Sequence, residues 1–349
     1  MAGPARGVPA ALRHHGPRSR ANRAPGSGRP AAPPARARRG RGIVRGMSAA
    51  PDRQAVRVDG HQLALTHLRK TLFPESEHTK AELLHYYARI APLMVPHTTD
   101  RAASFVRAPD GVDGERWYAK NPPPGCPEWV TLTSVPGKGE PAPHVVVDST
   151  AALVAMANLG AYEVHVPQWR AGAGPAVHDR VVFDLDPGPG ADVTDCCRVA
   201  LPLRAALAAD GLTACAVTSG SKGLHLYVAV EPAPAETAVA YAKRLAVRMR
   251  AELPDLAVAT MSRAARHGKV FIDWSQNASA KTTAAPYTLR IRERPGVATP
   301  VDWDEVAACA HPADLTFGPE EALARVEERG DDPLAPLSDA ARRGRLPET

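Results

Sequence analysis

An apolar run that ends in two carboxylates constrains this chain more than anything else in it. Val181, Val182 and Phe183 lead into Asp184, Leu185 and Asp186, and Pro187 and Gly188 follow. Such a run reads as a buried strand. Side chains alternate along a strand, so Asp184 and Asp186 face the same side, about 7 Å apart. Like charges that close repel unless a cation neutralises them. The strand must therefore end at a place a cation can reach. A second apolar run, "VFIDWSQN" (270–277), carries Asp273 at its end. Three carboxylates on neighbouring strand ends offer hard oxygen ligands for divalent cations. Two such ions could clamp the attacking and leaving oxygens of a phosphoryl transfer. The plainer reading makes Asp184 and Asp186 caps of the turn before Pro187.

Length and charge narrow the class. The 349 residues suffice for one large domain or two small ones. No apolar run is long enough to span a membrane. The five cysteines show no zinc spacing and no signal peptide precedes them, which places the chain in a reduced, cytoplasmic (nucleoid) setting. Eleven of the 43 basic residues fall in residues 1–46, which hold no acid, leaving 32 basic against 37 acidic residues in the rest. Bulk charge thus gives the body no affinity for nucleic acid, and any basic groove there must be local. Residues 1–52 read as a disordered Arg/Pro-rich tail. It is either a basic arm for phosphates or sequence upstream of a true start at Met47.

The remainder divides at the Gly/Ala/Pro-rich stretch near 170–180, into an N-terminal part (53–170) and a catalytic part (171–330), with a polar tail at 331–349. Helices are expected over 77–97, capped by Thr79 with Glu82 and closed by Pro96, and over 149–160, 193–210 (kinked or split at Pro202), 235–252 and 318–330. Strands are expected at 161–169, 181–186, on both sides of "TSGSKG" (218–223), at 268–277, and last at 286–292. Helices and strands mix without a regular βαβ period, so the fold class is α+β, with mixed and antiparallel sheets flanked by helices.

Three further constellations carry chemistry. Ser219, Gly220, Ser221, Lys222 and Gly223 form a small turn whose N–H groups, hydroxyls and ammonium suit a triphosphate, although it is not a Walker A loop. His225 and Tyr227 then share a face of the following strand; the alternative is a plain hairpin turn with a core histidine. Lys80, in the first turn of the Thr79-capped helix, and Lys70 make a candidate anion site, or else two solvated lysines. Trp117 and Tyr118 either stack on nucleobases or belong to the core. "FDLD" also looks like the haloacid-dehalogenase-type phosphatases, but their pattern wants Thr or Val where Gly188 stands.

Taken in order, "RAPDGVDG", "WYAKNPP", "LGAYEVHVPQW", "VVFDLDPGPG", "TSGSKGLHLY", "GKVFIDWSQN" and "KTTAAPYTLR" resemble the polymerase domain of bacterial nonhomologous end-joining ligase D, in the archaeo-eukaryotic primase superfamily. The resemblance spans about residues 66–297. It implies a primase-polymerase fold and a nucleotidyltransferase that adds nucleotides, preferably ribonucleotides, to a 3′-OH at DNA gaps or broken ends. It implies two Mn2+ (or Mg2+) ions on Asp184, Asp186 and Asp273, with His165 close by. Ser219, Lys222, Gly223, His225, Arg266, Lys281 and Arg290 would hold the incoming NTP or dNTP. Lys70 and Lys80 would grip a 5′-phosphate, and Arg107, Trp117 and Tyr118 would also face DNA. The family usually shows Phe-Phe where Trp117–Tyr118 stand. As a stand-alone chain it would work beside Ku and a separate ATP-dependent ligase, with no membrane partner. The alternative within the same fold is an inert DNA-end-binding accessory.

Overall fold

A computed structural model describes residues 52–137 and 139–347; the expected tail falls, apart from Asp52, outside them. Two sheets organise the described chain. The larger has six strands in the order Ala257–Val258, Val270–Asp273, Val177–Pro187, Leu224–Pro234, Ala214–Thr218 and Pro300–Val301. All its pairings are antiparallel except that between its first two strands. The smaller is antiparallel throughout: Thr283–Ala284, Ala161–Val166, Ser104–Arg107 and Trp117–Ala119. The fold is therefore α+β with mixed and antiparallel sheets, as the sequence implies. The boundary near 170 separates the main strands of the two sheets. Even so, the chain returns at 283–284 to complete the smaller sheet, and the described residues form one compact unit.

Alternation along the 177–187 strand explains where its charges go. Val181, Phe183 and Leu185 point into a core shared with the Val193–Ala209 and Ala235–Glu252 helices. Val182 points the other way, into a core built with the smaller sheet and the Lys80–Thr98 and Thr150–Asn158 helices. Asp184 and Asp186 continue the Val182 face toward the strand's end. The carboxylates thus sit at the mouth between two cores, where the apolar packing stops.

Three expectations need correction. The first helix does not close at Pro96 but runs to Thr98, with Pro92 and Pro96 inside it. Pro96 has no N–H to give the Pro92 carbonyl, yet the helix continues to a firm end, where Thr99 N–H and Thr98 Oγ1 both donate to the Val95 carbonyl. The 193–209 helix passes Pro202 as one continuous element, held by a buried face of Cys196, Val199, Ala200, Leu203 and Leu207. The strand expected at 286–292 shrinks to Leu289–Arg290, and short strands follow it. Tyr287 has φ 66°, a left-handed conformation that no strand continues through.

The segment after 330 is polar in composition but packed. Leu334, Leu337 and Leu346 are buried, and Gly344 bridges Val230 in parallel. Tyr287 Oη donates to Asp332 (2.9 Å), whose other carboxylate oxygen lies 3.3 Å from the Nε2 of buried His97.

Candidate active site

Register places the acids. Asp184 pairs directly with Asp273 on one side and with His225 on the other. The strand carrying Asp273 ends at that residue, so Val182 has no strand partner there. Buried Asn277 takes its place, accepting from Val182 N–H (2.8 Å) and donating to Val182 C=O (2.7 Å). This explains the spacing of "DWSQN": the three residues after Asp273 turn the chain so that Asn277 can close the sheet. Ser275 Oγ and Gln276 Nε2 meanwhile hold the two Asp273 oxygens at 2.5 and 3.0 Å.

One oxygen from each of Asp184, Asp186 and Asp273 lies within 4.8 Å of the others. Asp184 and Asp273 are 9% and 8% exposed, and Asp186 stands at the open rim. The Asp186 carboxyl is pushed up to about 7, first by desolvation in the cleft and then by the Asp184 charge. Asp184 Oδ1 is buried without a hydrogen bond, although His225 Nε2 stands 3.3 Å away. An orphaned carboxylate oxygen among converging acids is what a divalent cation satisfies. The residues therefore fit the implied ions, with all-oxygen chemistry of the Mg2+/Mn2+ type.

Asp184 and Asp186 open onto a cleft of about 420 Å3, whose walls include Ser219, Lys222, Gly223 and His225 together with Arg263, Arg266, Arg290 and Arg292. Two glycines make its shape possible. A Cβ on Gly188 would stand 1.9 Å from the Arg266 carbonyl oxygen, and one on Gly223 would stand 2.3 Å from that of Leu185. The Pro-Gly after the second aspartate thus lets the 263–268 segment lie against the strand end, carrying Arg266 to the acids. Its guanidinium covers the Phe271 ring at 3.7 Å.

The 219–223 turn differs from the expectation in one respect. Ser219 Oγ accepts from the N–H groups of Ser221 (3.3 Å) and Gly223 (3.0 Å). Those two amides are turned inward and are not free to meet an anion. Arg290 locks the turn from beneath by donating to the Ser219 carbonyl at 2.5 Å. Its Nε donates to Glu163 (3.0 Å), as Arg292 Nε does to Ser221 Oγ (3.0 Å).

Other expected residues are distributed as follows. His165 lies beside the cleft, with Nε2 3.0 Å from Glu163 and its ring edge-on to Tyr118 at 5.8 Å. Burial lowers its pKa, against the Glu163 hydrogen bond, which raises it. Lys281 is exposed in the turn before the 283–284 strand and is not part of the cleft wall. Trp117 (36% exposed) and Tyr118 (47%) are surface residues, which removes the core reading of this pair. Arg107 lies 5.0 Å over the Trp117 ring, and Tyr118 Oη bonds Thr282.

Lys70 and Lys80 meet at the start of the 80–98 helix, where Lys80 N–H donates to the Lys70 carbonyl. The Thr79–Glu82 capping box is present. Lys80 is 5% exposed and donates to the Asn158 carbonyl (2.6 Å), while Lys70 bonds Asp110 and the Pro109 carbonyl. Burial, and next the neighbouring Lys70 charge, bring the Lys80 ammonium down to about 8. Sequence reasoning missed Arg263, Arg292 and Glu163. Both arginines lie outside the motifs, and Glu163 was passed over although alternation puts it on the same face as His165, two residues on.

Comparison with known proteins places this geometry. A family profile described as "LigD, primase-polymerase domain" matches residues 79–334. The chain is 41% identical over 289 residues to the multifunctional nonhomologous end joining protein LigD of Mycolicibacterium smegmatis, covering 80% of this chain and 37% of that protein. With the bifunctional LigD of Bacillus subtilis the identity is 29% over 272 residues, covering 77% and 43%. The chain thus spans well under half the length of these curated relatives. Among solved structures it is similar to the polymerase domain of Mycobacterium tuberculosis ligase D in complex with DNA. That match has a TM-score of 0.74 and 40% identity, and it covers 79% of this chain and 98% of that one. Neither the phosphatase reading nor the inert accessory is favoured by these matches. The chain belongs to the LigD primase-polymerase family of nucleotidyltransferases.

Proposed function

We propose that this chain extends the 3′-end of a DNA strand at a gap or break by templated addition of nucleotides, ribonucleotides preferred. The observation that carries the reading is the meeting of opposite charges on one cleft: converging acids at one end, and Lys222, Arg263, Arg266, Arg290 and Arg292 around them. A nucleoside triphosphate is polyanionic and needs cations along its length, and the acids by themselves would repel it.

Two divalent ions, manganese or magnesium, on Asp184, Asp186 and Asp273 would favour ionisation of the primer 3′-OH and neutralise the departing pyrophosphate. The protein's own groups divide the rest. Lys222, Arg266 and Arg290 receive the phosphates, Ser219 and Gly223 shape the turn beneath them, and His225 supports Asp184. Exposed Trp117 and Tyr118 offer ring faces to a base. Lys70 and Lys80 form the seat of the downstream 5′-phosphate, 3′-end chemistry and 5′-end capture lying on different parts of the molecule. In end joining, Ku and a ligase would act beside it.

The test is primer extension on a gapped duplex bearing a 5′-phosphate, with Mn2+ and labelled ribonucleotides. Templated products that disappear in Asp184→Ala support the reading. A folded, DNA-binding protein that extends no primer with any nucleotide or metal overturns it.

A further inference from the structure

Among the described residues, Glu163 is a buried acid behind the cleft arginines that belongs to no expected site. Its side chain is 2% exposed, on the strand of the smaller sheet that also carries His165. It collects donors from two elements. Arg290 Nε and His165 Nε2 each lie 3.0 Å from its Oε2, and Ile291 N–H donates to its Oε1 at 2.7 Å. Arg292 stands 3.7 Å from the same Oε1. Burial raises the Glu163 pKa, but these partners outweigh it, His165 and Arg290 foremost, and the carboxyl is held at about 2.

We propose that Glu163 is the positioning residue of the nucleotide cleft: it aims Arg290, and with it Arg292, at the incoming triphosphate. Arg290 has donors to spare, and its direction is what needs fixing. Glu163 takes Nε and the Ser219 carbonyl takes one terminal nitrogen, so the plane of the guanidinium is set from both sides. The Ile291 N–H bond fixes the backbone between the two arginines on the same carboxylate. The charge of Glu163 also lets two neighbouring guanidinium groups stand together before any anion arrives. A neutral residue of the same shape would leave the arginines repelling each other and the cleft open in several arrangements.

The inference rests on the polymerase reading, and the experiment separates the two. Wild type, Glu163→Gln, Arg290→Met and the double variant are compared in gapped-duplex extension with Mn2+, alongside thermal melts. If wild type extends nothing, the polymerase reading fails. If it extends, Glu163→Gln is expected to raise KM for the nucleotide by about tenfold, the scale of one charge-assisted hydrogen bond, with kcat within about threefold. In the Arg290→Met background the same substitution is expected to change KM by less than about twofold, because its route of action is gone. An unchanged KM in the single variant, or an undiminished effect in the Arg290→Met background, overturns the proposal. Should Glu163→Gln not fold, Glu163→Asp replaces it in the same cycle under the same criteria, since it keeps the charge and shortens its reach.

Discussion

The three acids at the strand ends and the two lysines at the helix start are both clusters of like charge, yet the protein treats them oppositely. Lys70 and Lys80 are given partners by the fold: carbonyls of Pro109 and Asn158, and the Asp110 carboxylate. Asp184 Oδ1 is buried with no hydrogen bond, and Asp186 is held near neutrality by its surroundings. The lysine site is complete as a piece of structure, and on the proposed reading an anion would be an addition to it. The carboxylate site is incomplete until a cation binds. Loss of a ligand group should therefore be felt mainly in chemistry at the first site and mainly in substrate preference at the second.

Asp184→Ala breaks this comparison most severely. Asp184 is central to the cluster, opposite both Asp273 and His225, and its loss should lower primer extension by about a thousandfold or more. Single-turnover extension at saturating nucleotide measures it. A loss of less than tenfold would mean that the three acids do not work as one site. At the other site, Lys70→Ala with Lys80→Ala should remove about a tenfold preference for a 5′-phosphate over a 5′-hydroxyl gap, leaving extension of the 5′-hydroxyl substrate unchanged. Equal losses on both substrates would instead mark the lysines as supports of the fold.

A smaller effect follows from the Lys80 pKa of about 8. Because the folded value lies below the unfolded one, the unfolded chain binds more protons between about 8 and 10.5, and this group's contribution to stability rises with pH there. In the folded protein its charge falls around pH 8, so the 5′-phosphate preference should weaken severalfold from pH 7 to pH 9. Fluorescence anisotropy on gapped duplexes without metal follows this directly. A preference that stays flat with pH would assign phosphate capture to Lys70 alone.

The sequence revealed these two sites unequally, and for a physical reason. The aspartates announce themselves because alternation, apolar flanks and the short distance to Pro-Gly are all local. Asp273 could be added because its own strand ends the same way. Lys70 and Lys80 were paired by the helix start, but two solvated lysines read the same way locally, and only the family resemblance gave them a 5′-phosphate. The fold class, the Thr79 cap and the 235–252 helix were legible from periodicity and capping. The paths through Pro96 and Pro202 were not, because tertiary packing decides whether a helix tolerates a proline. Glu163 was hidden most deeply. In "AYEVHV" it shares a face with His165, but the partners that give it a role, Arg290 and Ile291, lie more than 120 residues away.

The gentlest prediction concerns stability, where the contrast between the sites should reverse sign. Asp186 has a folded pKa of about 7 against an ordinary value of 3.8. The folded state therefore binds the extra proton between about pH 4 and 7, and stability contributed by this group is lost as pH rises through that window. Asp186→Asn removes the repulsion, so the metal-free variant should melt about 2 °C higher than wild type at pH 8 and no higher at pH 4. Added Mn2+ should close the gap by raising the wild-type melting temperature more than that of the variant. Lys80→Met offers the matched control. It removes a charge that already has a carbonyl partner, so no divalent cation should alter its difference from wild type. If Asp186→Asn melts lower than wild type at pH 8 without metal, the carboxylates are not in conflict, and the idea of a site left incomplete by the fold is wrong.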